Sequence, residues 1–328
     1  MTMRVLNLVT TEKARFFNQQ VEILENRGVE QTTVSLRTPA VEGDGRRSVV
    51  DYLRLLPPTL RHSMGEYDLL HANSGLTAPA AVLQQRLPTV VSLWGTDLMG
   101  RYGPITKQFT RRCDSVIVMS EEMATAYGHD CHVIPHGIDL ERFTPQPREH
   151  AVEALDWNPD LKHVLFPYPS EREVKDFPRA KRIATEASRR IDDDIELHTV
   201  TGVPHESMSL YMNAADVLLL TSKREGSPNS VKEAMACNLP VVATPVGDVP
   251  ERLSGVSPSV VSDDDPTLVS GVVDVLSDGR RSNGRERAHD VSITKMADQL
   301  MEVYHGVTES QGESPALQGG EDVKTNEV

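Results

Sequence analysis

The chain has 328 residues, of which 38% are hydrophobic and 25% charged, with a formal net charge of -14. That length exceeds one ordinary domain and that apolar content excludes a wholly disordered chain, so two packed domains are expected. The acidic balance, without a basic cluster, excludes a general nucleic-acid partner, and three widely spaced cysteines, Cys113, Cys131 and Cys237, exclude a disulfide framework or a cysteine metal site. Neither a membrane-span-length apolar run nor a signal-peptide pattern is present in the sequence. A cytoplasmic protein with reduced thiols is expected, and any contact with the inner face of a membrane would be peripheral.

In chain order, residues 5–9 read as a strand and residues 16–27 as an amphipathic helix closed by Gly28. Residues 32–36 read as a strand and 49–62 as helical, and short apolar runs at 69–71, 90–93, 116–119 and 131–134 complete the first set of strands. Residues 143–161, with Pro145, Pro147 and Pro159, read as an irregular inter-domain linker. A second alternation follows: a strand at 164–166, a helix at 179–191, a strand at 197–200, a helix at 208–214 and strands at 217–221 and 241–244 on either side of a further helix. Alternating strands and helices imply parallel, doubly wound sheets. The expected fold class is α/β, with two consecutive Rossmann-like domains facing each other across a cleft, a first domain over residues 1–145 and a second domain over 146–292. The helical pattern starting at Ile293 (293–307 with its margin) follows an already complete second sheet and is expected to cross back onto the first domain, ahead of a polar, disordered tail at 308–328.

The stretch richest in chemistry is Glu225-Gly226-Ser227-Pro228-Asn229-Ser230-Val231-Lys232-Glu233, where a buried strand enters a tight turn and then a helix. Ser227 is expected as N-cap and Pro228 as first helical residue. The amides of Asn229, Ser230 and Val231 would then be free at the positive end of the helix, where they can meet a diphosphate. On residue chemistry alone, a capping box between Ser230 and Glu233, with Glu225 a solvated loop carboxylate, accounts for the same residues.

Two glutamates separated by seven residues, with Gly and Pro between them, resemble the signature of retaining glycosyltransferase family 4, whose members adopt the GT-B fold. Val133-Ile134-Pro135-His136-Gly137-Ile138-Asp139 is similar to that family's inter-domain segment, and Ser92-Leu93-Trp94-Gly95-Thr96-Asp97 to its acceptor-side loop. The resemblance implies a catalytic set of Glu225, contacting the donor sugar, with Lys175 and Arg172 as cations for the diphosphate and Asp97 on the acceptor side. It further implies a binding set in which Gly226, Ser227, Asn229, Ser230 and Val231 hold sugar and phosphate while Glu233 takes the ribose hydroxyls. The donor would be a UDP- or GDP-type nucleotide sugar, a substrate rather than a cofactor, and no metal is implied. The acceptor would be a glycan or a lipid-linked intermediate, as in surface-polysaccharide synthesis. The chain departs from many members in carrying Trp94 where they place a histidine, and in lacking a glycine-rich turn over residues 10–14. Arg172 also lies closer to Lys175 than is common in the family.

Other readings compete. Asp192-Asp193-Asp194 supplies the Asp-x-Asp of a metal-dependent GT-A transferase, although its position between a helix and a strand fits a solvated connection, and Asp263-Asp264-Asp265 fits a turn before Pro266. A nucleotide-sugar epimerase or a non-catalytic sugar-nucleotide module would share the cleft. A nicotinamide-dependent dehydrogenase is opposed by the missing Gly-x-Gly-x-x-Gly after Val9. His71 and His136, each near a strand end, are further candidates, with a structural role the ordinary expectation for a lone histidine.

Overall fold

The computed structural model describes residues 2–36, 49–191 and 193–312. Two wholly parallel sheets organise it. The first contains β1 (Arg4–Val9), β2 (Glu30–Ser35), β3 (Leu69–Ala72), β4 (Thr89–Ser92), β5 (Ser115–Val118) and β6 (His132–Val133), in the order β2-β1-β3-β4-β5-β6. The second contains β7 (Lys162–Phe166), β8 (Ile195–Thr199), β9 (Val217–Leu220), β10 (Val241–Ala243) and β11 (Val260–Val261), in the order β11-β10-β9-β7-β8. The central strands β3, β4, β5, β9 and β10 are buried throughout, as parallel strands covered by helices on both faces must be. The expected doubly wound architecture is therefore present twice.

Several local expectations change. The first helix is Arg15–Glu25, burying Phe17, Gln20 and Leu24 at helical spacing, and Gly28 follows it at a φ of +82°, a conformation open to glycine. The helical stretch expected at 49–62 is two helices, Val49–Leu53 and Leu56–His62, the second starting around Pro57 and Pro58. The linker expected at 143–161 is not irregular throughout. It holds a helix, Arg148–Ala154, whose Ala151 and Val152 pack with Ala214 of the helix Met208–Ala214. Pro147 precedes that helix, where a missing amide costs no helical hydrogen bond, so the prolines bracket the helix instead of excluding it. The aspartates at 263–265 do not form a simple turn: Asp264 accepts from the Thr267 amide and caps the helix Asp265–Asp278.

The last helix, Ile293–Gly312, crosses back to the first sheet and runs beyond the expected end, through the first five residues of the segment expected to be disordered. Residues 313–328 of that expected tail lie outside the described residues. Met296, Ala297, Leu300, Val303, Tyr304 and Val307 of this helix join the core formed by β1, β3 and β4. Tyr304 is fully buried, and its hydroxyl is hydrogen-bonded to His71 Nδ1 at 2.7 Å. The other ring nitrogen of His71 meets Ser92 Oγ at 2.8 Å. His71 is thus a satisfied core residue, held neutral by burial that lowers its pKa to about 3.

The chain passes between the two domains twice, side by side. The Ile138 amide donates to the Val291 carbonyl and the Ile293 amide to the Ile138 carbonyl, each at 2.9 Å. A β-carbon on Gly137 would lie 2.4 Å from Ile293 Cα, so only glycine permits this approach. No helix among the described residues is long and apolar enough to cross a membrane.

A chain ended after Asp290 should lose the cover of the first sheet. Hydrogen exchange in β1 and β3 should rise well above that of β9 and β10, and equal protection of both sheets would refute the structural role given to the crossing helix. Gly137→Ala should destabilise the protein by roughly 1–3 kcal/mol, the range for forcing extra atoms into a packed contact. A melting temperature equal to that of the natural chain would show that the two crossings can separate freely.

Candidate functional site

The loops that leave the C-terminal ends of both sheets face one another. In the second sheet β7 and β9 are direct neighbours while the chain goes from β7 to β8 on the far side, which makes the gap between them a topological switch point. Lys175 follows β7 and Glu225 follows β9, so the topology brings together two residues fifty positions apart. The Lys175 ammonium donates to Glu225 Oε1 and sits 3.6 Å from the centre of the Tyr168 ring. Ser222 Oγ donates to the same Glu225 oxygen at 2.6 Å. Burial lowers the Lys175 pKa below its ordinary value and Glu225 opposes the shift. Arg172 is exposed, with its guanidinium 5.9 Å from the Tyr168 ring, in the same cationic corner.

Glu225 leads into Gly226, where the backbone is stacked under Gly247. A β-carbon on Gly247, whose φ is +56°, would lie 2.4 Å from the Gly226 carbonyl oxygen. The Asp248 amide donates to that oxygen at 3.3 Å. Ser227 does not cap the helix as expected. Its hydroxyl donates to Asp248 Oδ2 at 2.7 Å and accepts from Lys232 Nζ at 3.0 Å, and no side-chain cap bond to the helix amides is made. The helix is Asn229–Ala236, with Pro228 in the cap position and extended. One of the three amides expected to be free is not: the Val231 amide donates to the Pro228 carbonyl at 3.2 Å and the residue is fully buried. The amides of Asn229 and Ser230 have no acceptor among the described residues.

Nor is there a capping box. Ser230 Oγ pairs with the Tyr168 hydroxyl at 2.5 Å, and Glu233 lies on the next turn with Oε1 2.7 Å from His205 Nε2. His205 stands in the loop after β8, and its Nδ1 is buried without a hydrogen-bond partner among the described residues. Lys232, one residue earlier, is fully buried and donates to the His136 carbonyl at 2.7 Å, tying the helix to the segment that links the domains. Burial lowers the Lys232 pKa to about 8, against the attraction of Asp248.

The opposite wall comes from the first sheet. Asp97 is buried, and its carboxylate accepts from the amides of Gly75, Trp94 and Gly95 at 2.9, 2.9 and 3.1 Å. It therefore shapes the loop after β4 instead of presenting an open carboxylate to the cleft. Burial raises its pKa and the amides counter that. Trp94 donates its indole N–H to the Asn73 carbonyl at 2.9 Å and packs on Phe16 with ring centres 4.2 Å apart. His136 completes this aromatic group, its Nε2 3.3 Å from Gln19 Oε1 and its Nδ1 buried without a hydrogen-bond partner among the described residues. Gly226 touches this wall, since a β-carbon there would lie 3.4 Å from the Trp94 carbonyl oxygen and 3.0 Å from Met123 Sδ. At the start of the first helix Arg15 faces the second domain. Desolvation lowers its pKa, and the charge of Glu233 opposes that shift.

The structure thus gathers Lys175, Arg172, Glu225, Gly226, Asn229, Ser230 and Glu233 on one wall, and places Ser227, Val231 and Asp97 in supporting positions. Sequence reasoning missed His205, Arg15 and Tyr168. All three lie in or next to loops at the C-terminal ends of parallel strands, where ligands of such sheets bind, and that position is the signal that could have found them. Asp193 and Asp194, by contrast, lie in the turn before β8, at the opposite end of the strand. Asp193 pairs there with Lys162 at 3.8 Å, and Asp192 lies outside the described residues.

Two family models match the chain: Glycosyltransferase Family 4 over residues 9–142 and Glycosyl transferases group 1 over residues 176–278. A teichuronic acid biosynthesis glycosyltransferase of Bacillus subtilis is 29% identical over 56% of this chain, and the match spans only 54% of that relative's length. An MMP alpha-(1->4)-mannosyltransferase of Mycolicibacterium hassiacum is 26% identical over 73% of this chain and 71% of its own. The solved structure of Anabaena HepE in complex with UDP and glucose superposes with a TM-score of 0.69 at 16% identity, covering 93% of this chain and all of that one. With glycosyltransferase models on both halves and the matching two-domain architecture, the chain belongs to the group 1 and family 4 glycosyltransferases of the GT-B fold.

Proposed function

We propose that this chain moves a sugar from a UDP- or GDP-type nucleotide sugar to a hydroxyl of a glycan or lipid-linked acceptor, with retention of anomeric configuration and without a metal ion at the diphosphate. The observation that carries the reading is the convergence of Lys175, Glu225, Glu233 and two acceptor-free helix amides on one wall of the cleft. In this reading Glu233, held by His205, accepts the ribose hydroxyls. The amides of Asn229 and Ser230 and the cations Lys175 and Arg172 meet the diphosphate. Glu225, whose partner in the free protein is Lys175, turns to the donor sugar once the phosphates take over the lysine. Negative charge grows on the leaving phosphate as the glycosidic bond breaks, and preorganised cations and amides stabilise it there. A donor phosphate oxygen on the leaving-group face takes the acceptor's proton, so the new bond forms on the face from which the nucleotide departs. The named activities of the matched Bacillus and Mycolicibacterium relatives support sugar transfer as the reaction class.

Glu233→Gln should weaken donor binding by about 1.5–3 kcal/mol, the range for hydrogen bonds to a charged group. An unchanged donor affinity measured by calorimetry would remove Glu233 from the ribose site. Lys175→Ala should lower kcat by a larger factor than it raises the donor dissociation constant, because leaving-group charge is greatest in the transition state. Turnover should persist in EDTA. Turnover that EDTA abolishes and manganese restores, with Lys175→Ala fully active, would overturn this mechanism.

A further inference from the structure

At the end of the second sheet remote from the cleft, His163 of β7 and Glu196 and His198 of β8 share one face. His163 and Glu196 are direct partners in the parallel register, and His198 stands two residues beyond Glu196, on the same side of the strand. One nitrogen from each imidazole and one carboxylate oxygen lie within 4.8 Å of one another. His163 Nδ1 and His198 Nε2 are 2.9 Å apart, and His198 Nε2 is 3.7 Å from Glu196 Oε2.

The proton arrangement is decided by the neighbours. His163 Nε2 lies 2.9 Å from the Asn158 carbonyl oxygen, which only accepts, so that nitrogen carries the hydrogen and Nδ1 presents a lone pair. In the metal-free protein His198 Nε2–H donates to that lone pair. A ring nitrogen whose partner nitrogen donates to a backbone carbonyl is the usual form of a histidine metal ligand. Trp157 stacks on His198, with ring centres 3.6 Å apart and planes 8° from parallel, and fixes that ring's orientation. The Glu196 side chain is half exposed, which leaves an entry path from solvent.

We propose that His163, Glu196 and His198 form a binding site for a divalent ion of the zinc class. Two imidazoles and one carboxylate, with a fourth position for water, match the ligand preference of that ion. Ligand nitrogens about 2.0–2.1 Å from a tetrahedral ion stand roughly 3.3 Å apart, so the two rings need to separate by only about 0.4 Å from their present spacing. Binding requires His198 to move its proton from Nε2 to Nδ1, leaving two neutral nitrogen lone pairs and the ionised Glu196 on the metal. Because β8 is an edge strand, the ion would pin it to β7 and to the segment carrying Trp157 and Asn158. This site is independent of the cleft chemistry.

Zinc titrated into the untagged full-length chain, followed by calorimetry, should show one site per chain. His198→Gln should weaken zinc binding by more than the roughly 10- to 100-fold typical of losing an outer-shell partner, and Glu196→Gln, altering a half-exposed side chain that can be replaced without disturbing the fold, should also weaken it. Copper(II) should quench the emission of Trp157 in the natural chain but not in His198→Gln. Absence of zinc uptake by the natural chain, or equal affinity in all three proteins, would overturn the proposal.

Discussion

Lys175 and Glu225 are both largely withdrawn from water, their side chains 5% and 14% exposed, and each is tolerable there because the other is present. An isolated charge in such a place would be costly, and removing one partner of a buried pair leaves the other uncompensated. The pair exists because β7 and β9 are neighbours at the switch point of a parallel sheet, which sets the ends of two distant loops side by side. A negatively charged ligand that supplies Lys175 with a new partner can release Glu225 at little electrostatic cost. The cleft thereby holds two opposite charges side by side at the ends of β7 and β9.

That arrangement is braced by a chain of buried polar contacts that reaches the segment linking the domains. Asp248 binds Ser227 and Arg252, Ser227 accepts from Lys232, and Lys232 donates to the His136 carbonyl. Gly137 follows directly, against Ile293, where the two crossings of the chain are hydrogen-bonded to each other. The loop between Glu225 and Glu233 is therefore joined through buried polar contacts to the segment that links the domains. A buried lysine is costly unless it is hydrogen-bonded, and this one ties the loop to the segment that links the domains.

The architecture was legible because short apolar runs and helical runs alternate as far as the crossing helix, and because that helix has apolar residues with no remaining sheet of its own to cover. The glutamate string was legible as a local pattern. The partners were not, since Lys175 to Glu225 and His205 to Glu233 are separated by 50 and 28 residues and only the tertiary fold brings them together. Ser227 shows the same limit: local propensity favours it as an N-cap, yet the buried Asp248 and Lys232 claim its hydroxyl. The helix Arg148–Ala154 was hidden by flanking prolines, and the helix Asp265–Asp278 by a run of aspartates that reads as a turn until Asp264 is seen capping it.

The most direct test of the charge exchange is a crystal structure of the chain with a non-hydrolysable nucleotide-diphosphate sugar bound. The account predicts Lys175 on the diphosphate and no longer on Glu225, Glu225 on the sugar hydroxyls and Glu233 on the ribose. A diphosphate bound elsewhere, with the Lys175 to Glu225 pair intact, would contradict it.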